Sequence, residues 1–81
     1  MKRILWTEPA KADVRRVDRT TAMRILGTLH RFAESGEGDV KALTGREEFR
    51  LRIGDYRLFF VTPTADTIQI MRVLHRREAY R

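Results

Sequence analysis

The sequence predicts an α+β fold in which two N-terminal helices pack on one face of a small, mostly antiparallel four-stranded sheet, in the order β-α-α-β-β-β. Three observations predict it. Apolar residues recur at helical spacing in the first half of the chain, apolar and charged residues alternate in the second half, and glycine or proline marks the breaks. We expect residues 1–81 to form one domain, since this length is near the lower limit for a stable core.

The first predicted strand runs from Lys2 to Thr7, with Ile4 and Trp6 on one face. Thr7-Glu8-Pro9 is typical of a helix start, because a hydroxyl caps the first turn and that turn favours an acid and tolerates proline. The helix that follows carries a narrow apolar stripe, formed by Ala10, Val14 and Val17.

The second predicted helix is longer and has a wide apolar stripe that should face the core. Asp18 to Thr21 is polar and is expected to end the first helix and cap the second. The stripe consists of Ala22, Ile25, Leu26, Leu29, Phe32 and Ala33. Ser35-Gly36 is predicted to end this helix. Glu37 to Glu48 is predicted to be a polar connection.

Residues 49–60 predict a tight β-hairpin, because apolar and charged residues alternate on both sides of Gly54-Asp55, a dipeptide that suits a two-residue type II′ turn. This register places Arg52 opposite Arg57. Like charges directly opposed in a sheet repel by a few tenths to about 1 kcal/mol. A phosphate between the two guanidinium groups would relieve that repulsion.

The rest of the chain predicts a second turn over Thr62 to Asp66, a strand over Thr67 to Leu74, and an irregular or single-turn tail from His75 to Arg81. The hairpin would present two faces. Leu51, Ile53, Leu58 and Phe60 should meet the helices, and Arg50, Arg52, Arg57 and Phe59 should point out from the uncovered side. Basic side chains around an aromatic ring favour binding of single-stranded nucleic acid.

Charge points in the same direction. Seventeen Lys and Arg against eleven Asp and Glu give a net charge of +6, and the pI is near 10.8. A pI above about 9 is typical of nucleic-acid binders. The chain contains no cysteine, no apolar run of membrane-spanning length and no signal-peptide pattern, so we expect a soluble cytoplasmic protein without disulfides. His30 and His75 lie on different predicted elements, so we expect no metal site and no cofactor.

RNA cleavage is a chemistry that such a basic face can support. The 2′-hydroxyl is the nucleophile, so the protein must remove its proton, stabilise the pentacovalent phosphorus and protonate the leaving 5′ oxygen. Arginine can stabilise the phosphorus but is a poor base. The candidates for proton transfer are His75 and Tyr80 in the tail, and both remain open. Arg72 could line the basic face or pair with an acid.

Four segments together resemble the RelE/ParE toxin superfamily: Leu43-Thr44-Gly45, Phe49-Arg50-Leu51-Arg52, Gly54-Asp55-Tyr56-Arg57-Leu58-Phe59-Phe60 and Val73-Leu74-His75-Arg76-Arg77-Glu78-Ala79-Tyr80. The resemblance implies a RelE-like microbial RNase fold and a toxin of a type II toxin-antitoxin system. RelE-like members cut mRNA in the ribosomal A site without metal, whereas ParE-like members inhibit DNA gyrase. We predict the RelE-like activity, with gyrase inhibition as the alternative.

The resemblance also implies roles for individual residues. Arg50 and Arg52 match strand residues that contact the phosphate and assist proton transfer, and Arg57 matches the arginine at the scissile phosphate. Arg76 and Tyr80 match the tail arginine and tyrosine, and His75 falls where relatives have histidine or lysine. Residues Phe59, Arg72 and Arg77 are predicted to contact RNA. The expected partners are the ribosome, its mRNA and a cognate antitoxin, whose acidic or amphipathic segment would cover the arginines.

Overall fold

The computed structural model describes residues 1–79 and confirms the α+β class, but its mixed sheet has five strands rather than four. The strands are β1 (Arg3–Trp6), β2 (Asp39–Ala42), β3 (Phe49–Ile53), β4 (Tyr56–Thr64) and β5 (Thr67–His75). Their order across the sheet is β1-β5-β4-β3-β2. β1 pairs with β5 in parallel, and the other pairs are antiparallel.

The helices begin and end where their capping residues predict. They are α1 (Glu8–Arg15), α2 (Arg19–Ser35) and the short α3 (Arg76–Ala79), so the tail forms a single helical turn. The Thr7 hydroxyl accepts a hydrogen bond from the backbone N–H of Ala10, and the Asp18 carboxylate accepts one from that of Thr21. Gly36 ends α2 in the left-handed conformation, with φ of 78°.

The strand that the sequence did not predict is β2, which lies inside the segment expected to be a polar connection. It pairs with β3, and its register places Val40 beside Leu51 and Asp39 beside Arg52. Only four residues long and on the edge of the sheet, β2 buries one face alone, so its sequence carries little apolar signal. The predicted second turn is also shorter, because β4 continues to Thr64.

The core lies between α2 and the face of the sheet turned towards it. The four hairpin residues predicted to meet the helices are 0–4% exposed, which confirms that part of the register. The other members of the core are Ala10, Ile25, Leu29, Ala33, Ile68, Ile70 and Val73. Phe60 stacks on Phe49 with ring centroids 5.4 Å apart and contacts Phe32 of α2 at the same separation.

Helix α1 is fastened to the part of β5 that extends beyond β1. The Thr7 backbone N–H donates to the Ile70 carbonyl, and the Thr7 hydroxyl donates to the carbonyls of Ile70 and Met71. One turn further on, Asp13 accepts a hydrogen bond from the Val73 N–H. Backbone groups that would otherwise face an open sheet edge are therefore satisfied by α1 and its cap.

Within residues 1–79, no helix has the length and apolar character needed to cross a membrane.

Candidate functional site on the outer face of the sheet

The outer face is the side of the sheet turned away from α2. Its central positions, read from the strand register, are Arg50, Arg52, Arg57, Phe59, Arg72 and Leu74. Arg52 lies opposite Arg57 as predicted, and Phe59 lies between Arg50 on β3 and Arg72 on β5. Strand β2 adds Lys41, which lies opposite Arg50. Cations of three neighbouring strands therefore share this face.

Arg57 is only 8% exposed, so it does not point freely into solvent as predicted. Its Nη1 donates to the carbonyls of Gly54 and Tyr56, at 2.9 and 3.0 Å. Carbonyl groups hold the guanidinium without cancelling its charge. The side chain is thus fixed beside the hairpin turn and remains a full cation for an incoming anion.

The repulsion expected between Arg52 and Arg57 is partly relieved by a residue of the unpredicted strand. Asp39 lies opposite Arg52 on its other side, with 3.9 Å between Asp39 Oδ2 and Arg52 Nη1. Both side chains are more than half exposed, so this ion pair is weak. A phosphate is therefore not the sole means of offsetting the two arginines, and Arg52 stays accessible to one.

Arg72 is held by a carboxylate from α1. Asp13 accepts hydrogen bonds from Arg72 Nε at 2.8 Å and Nη2 at 3.0 Å, and it also pairs with Arg16. The Asp13 side chain is 2% exposed, and that of Arg72 is 45% exposed. Of the two roles left open for Arg72, pairing with an acid is therefore found, and its guanidinium still reaches the outer face.

The charges around Asp13 set its ionisation. Burial alone would raise its pKa, but the hydrogen bonds from Arg72 and Val73 and the charges of Arg72 and Arg16 hold the pKa below its ordinary value. Asp13 also raises the pKa of Arg72. The pair is therefore ionised at every pH at which the protein would work.

A pocket of about 410 Å³ opens on the outer face beside these residues. Its floor is formed by Phe59, Arg72 and Leu74 of the sheet, and Ala79 of α3 lies at one side. Its opposite wall is the loop between β2 and β3, with Leu43, Thr44, Arg46 and Glu48. Phe59 is only 9% exposed, so it forms the floor of a recess rather than an open platform.

Comparison with known proteins places this fold. A family described as "ParE toxin of type II toxin-antitoxin system, parDE" matches residues 4–80 by sequence. The chain is a toxin of the RelE/ParE superfamily. No curated protein matches the chain as a relative.

Solved structures agree with this assignment at the level of the fold. The toxin superposes on the RelB-RelE antitoxin-toxin complex of Methanococcus jannaschii with a TM-score of 0.77 and 27% identity, and the match covers 94% of each chain. The RelE-RelB complex of Pyrococcus horikoshii OT3 matches with a TM-score of 0.75 and 20% identity over 93% of the toxin and 94% of that chain. The intact RelBE complex of E. coli gives 0.71 and 19% over 90% and 94%.

The tail residues of the toxin do not all lie on the outer face. Arg76 follows β5 beside the hairpin turn, where its N–H donates to the Asp55 carbonyl at 2.7 Å and its Nε lies 3.9 Å from Asp55 Oδ1. Two guanidiniums, those of Arg57 and Arg76, therefore flank one turn. Arg77 is exposed on α3, and its N–H donates to His75 Nδ1.

His75 lies opposite Tyr56, so it shares the face of the sheet that carries the core rather than the face of Arg52 and Arg57. Its ring meets the edge of the Tyr56 ring, with centroids 5.4 Å apart. Tyr80, the other residue predicted to transfer a proton, lies outside the described residues.

The sequence analysis overlooked Asp13 and Glu48, although both had a signal. Asp13 falls on the apolar stripe of α1, one turn after Ala10 and four residues before Val17, which is the pattern of a buried charge that needs a partner. Glu48 precedes β3 by one residue and shares the alternation of Arg50 and Arg52, which places it on the outer face.

Proposed function

We propose that this toxin is a ribosome-dependent endoribonuclease that cleaves mRNA in the A site and so inhibits translation in the cytoplasm. The observation that carries the proposal is the state of Arg57. Its guanidinium is nearly buried, fixed by two neutral carbonyls, and opposite a second, exposed arginine. Such a rigid, uncompensated cation suits a phosphate whose charge increases in the transition state.

In this mechanism the scissile phosphate lies between Arg52 and Arg57, with Arg50 and Arg76 adding positive charge along the strand and beside the turn. The flanking nucleotides extend over Phe59, Arg72 and Arg77, where the pocket can accept a base. The 2′-oxygen attacks phosphorus in line with the 5′-oxygen, and the bond from phosphorus to that oxygen breaks. The products are a 2′,3′-cyclic phosphate and a 5′-hydroxyl.

Two proton transfers accompany this step. The 2′-hydroxyl gives up its proton to a base, and the leaving 5′-oxygen takes one from an acid. We assign the acid to Tyr80, since its phenol can donate a proton and nearby arginines stabilise the phenolate that remains. His75 is the other candidate in the tail, and its place beside Tyr56 favours an indirect role through the N–H of Arg77.

Cleavage of mRNA at defined codon positions in a translating extract tests this proposal. Arg57→Ala should abolish the cuts, because it removes the fixed cation at the phosphate. Arg19→Ala is the matched control, since it removes one positive charge from an exposed residue at the start of α2. Intact mRNA in the presence of folded wild-type protein would refute the ribonuclease proposal, and full cleavage by Arg57→Ala would refute the site.

A second candidate function, inhibition of DNA gyrase without catalysis, is favoured by the family description that matches residues 4–80. In that case the outer face would bind protein rather than RNA. Supercoiling by purified gyrase separates the two functions directly. Inhibition of supercoiling together with intact mRNA would select the gyrase function.

We also propose a cognate antitoxin as the partner of this toxin in the cell. Three of the structural neighbours were solved as complexes of RelE with RelB. An acidic or amphipathic segment would complement the net charge of +6 and the arginines of the outer face. A short neighbouring reading frame whose product restores growth when the toxin is expressed would support this partner, and its absence would count against it.

A further inference from the structure

The mechanism needs a base near the 2′-hydroxyl, and the arginines of the outer face cannot serve, because arginine does not lose its proton in proteins. His75 lies on the other face of the sheet. Among the described residues that line the outer-face pocket, Glu48 is the one carboxylate. A carboxylate is an ordinary choice for general-base catalysis.

Glu48 is fixed in that pocket by both its backbone and its side chain. Its carbonyl accepts a hydrogen bond from the Leu43 N–H at 3.1 Å, which closes the loop between β2 and β3. Its carboxylate Oε1 lies 2.8 Å from Arg46 Nη2. The side chain is 22% exposed, so one part of the carboxylate is held while the group still reaches the solvent-filled pocket.

The position of Glu48 along the strand also suits a base. By alternation it lies in one row with Arg50 and Arg52, and that row passes the proposed phosphate site. Asp39 lies on the same face, but its side chain is 62% exposed and opposes Arg52 at the edge of the sheet. Of these two acids, Glu48 is the one enclosed by the pocket.

We propose that Glu48 is the general base that activates the 2′-hydroxyl, an assignment that rests on the ribonuclease function proposed above. Oε2, the oxygen not used in the ion pair with Arg46, takes the proton as the 2′-oxygen forms its bond to phosphorus. The bond from phosphorus to the 5′-oxygen breaks at the same time, and Tyr80 protonates that oxygen. Glu48 then returns its proton to solvent, and the Tyr80 phenolate recovers one from solvent.

Single-turnover cleavage of mRNA on programmed ribosomes tests this assignment. Glu48→Gln keeps the shape and the contact to Arg46 but cannot accept the proton, so the cleavage rate should fall about 100- to 1000-fold. Affinity for an uncleavable mRNA with a 2′-deoxy substitution at the cut site should stay within about threefold, since the base acts only on the missing hydroxyl. Glu48→Asp, which retains a carboxylate, should cleave faster than Glu48→Gln.

Two neighbouring variants separate proton transfer from the ion pair. Glu47→Gln, on the adjacent exposed residue, should cleave at the wild-type rate. Arg46→Ala removes the ion pair but leaves the carboxylate, so it should lose much less activity than Glu48→Gln. A Glu48→Gln rate within about threefold of wild type, or an equal loss in Arg46→Ala, would overturn the assignment. Intact mRNA with wild-type toxin would instead overturn the ribonuclease function itself.

Discussion

Arg57 and Arg72 lie on the same face of the sheet but are held there by opposite means. Arg57 donates to the carbonyls of Gly54 and Tyr56, which carry no net charge. Arg72 donates to the buried carboxylate of Asp13. One side chain is nearly buried and keeps its full charge, whereas the other is almost half exposed and has its charge offset.

The difference separates two uses of arginine within one basic surface. A guanidinium held by carbonyls can bind and stabilise an added anion, whereas one held by a carboxylate mainly joins two elements of the fold. Counting arginines on a surface therefore overstates its capacity for phosphate. On the outer face, Arg57 is suited to the chemistry, and Arg72 joins α1 to β5 while presenting one edge of its guanidinium to the pocket.

The largest expected effect comes from breaking the carboxylate-held arginine. Asp13→Ala leaves Arg72 and the Val73 N–H without their acceptor, and it should lower the free energy of unfolding by about 3 kcal/mol. Urea denaturation measures this loss. In an Asp13→Ala/Arg72→Met double variant, part of the loss should be recovered, because the arginine that lost its partner is gone. Purely additive effects would show that the pair is not coupled.

The low pKa of Asp13 gives the same contact a pH dependence. Its pKa is lowered in the folded protein, so its stabilisation is complete above the unfolded-state value of 3.8 and is lost as the pH falls through the folded-state pKa. Urea denaturation of wild type and Asp13→Asn should therefore give a stability difference that shrinks as the pH drops below about 4. A difference that stays constant over that range would contradict this linkage.

A smaller effect is expected from disturbing the turn that holds Arg57. Gly54 has a φ of 59°, and an added Cβ would lie 2.8 Å from Arg24 Nη1. Gly54→Ala should cost about 1–2 kcal/mol of unfolding free energy from the left-handed backbone, while the flexible Arg24 side chain moves aside. Because Gly54 supplies a carbonyl to Arg57, cleavage should also weaken. Unchanged stability would show that the turn tolerates a side chain.

Much of the fold was predictable because local chemistry and tertiary structure agree. The helix caps at Thr7 and Asp18, the left-handed Gly36 and the hairpin register that opposes Arg52 and Arg57 all follow from local rules. Strand β2 was not predictable in this way. With four residues at the edge of the sheet, it depends on pairing with β3 rather than on its own periodicity.

The candidate site was predictable by strand but not by contact. Alternation places Arg50, Arg52 and Arg57 on one face, yet it gives no sign that Arg57 turns back to the carbonyl of Gly54. The partner of Arg72 lies 59 residues away on α1, and no local rule connects the two. The side of the sheet on which His75 lies depends on the exact end of β5 and on the irregularity beside Phe59.

The parallel pairing of β1 with β5 has a consequence for synthesis. Arg3 aligns with Thr67 and Trp6 with Ile70, so the first strand made must wait for the last before it can pair. Three core residues, Ile68, Ile70 and Val73, also belong to that last strand. Pairing between distant segments slows folding, and here it defers the native state until nearly the whole chain has been translated. A ribosome making this toxin therefore releases it before the finished fold exists.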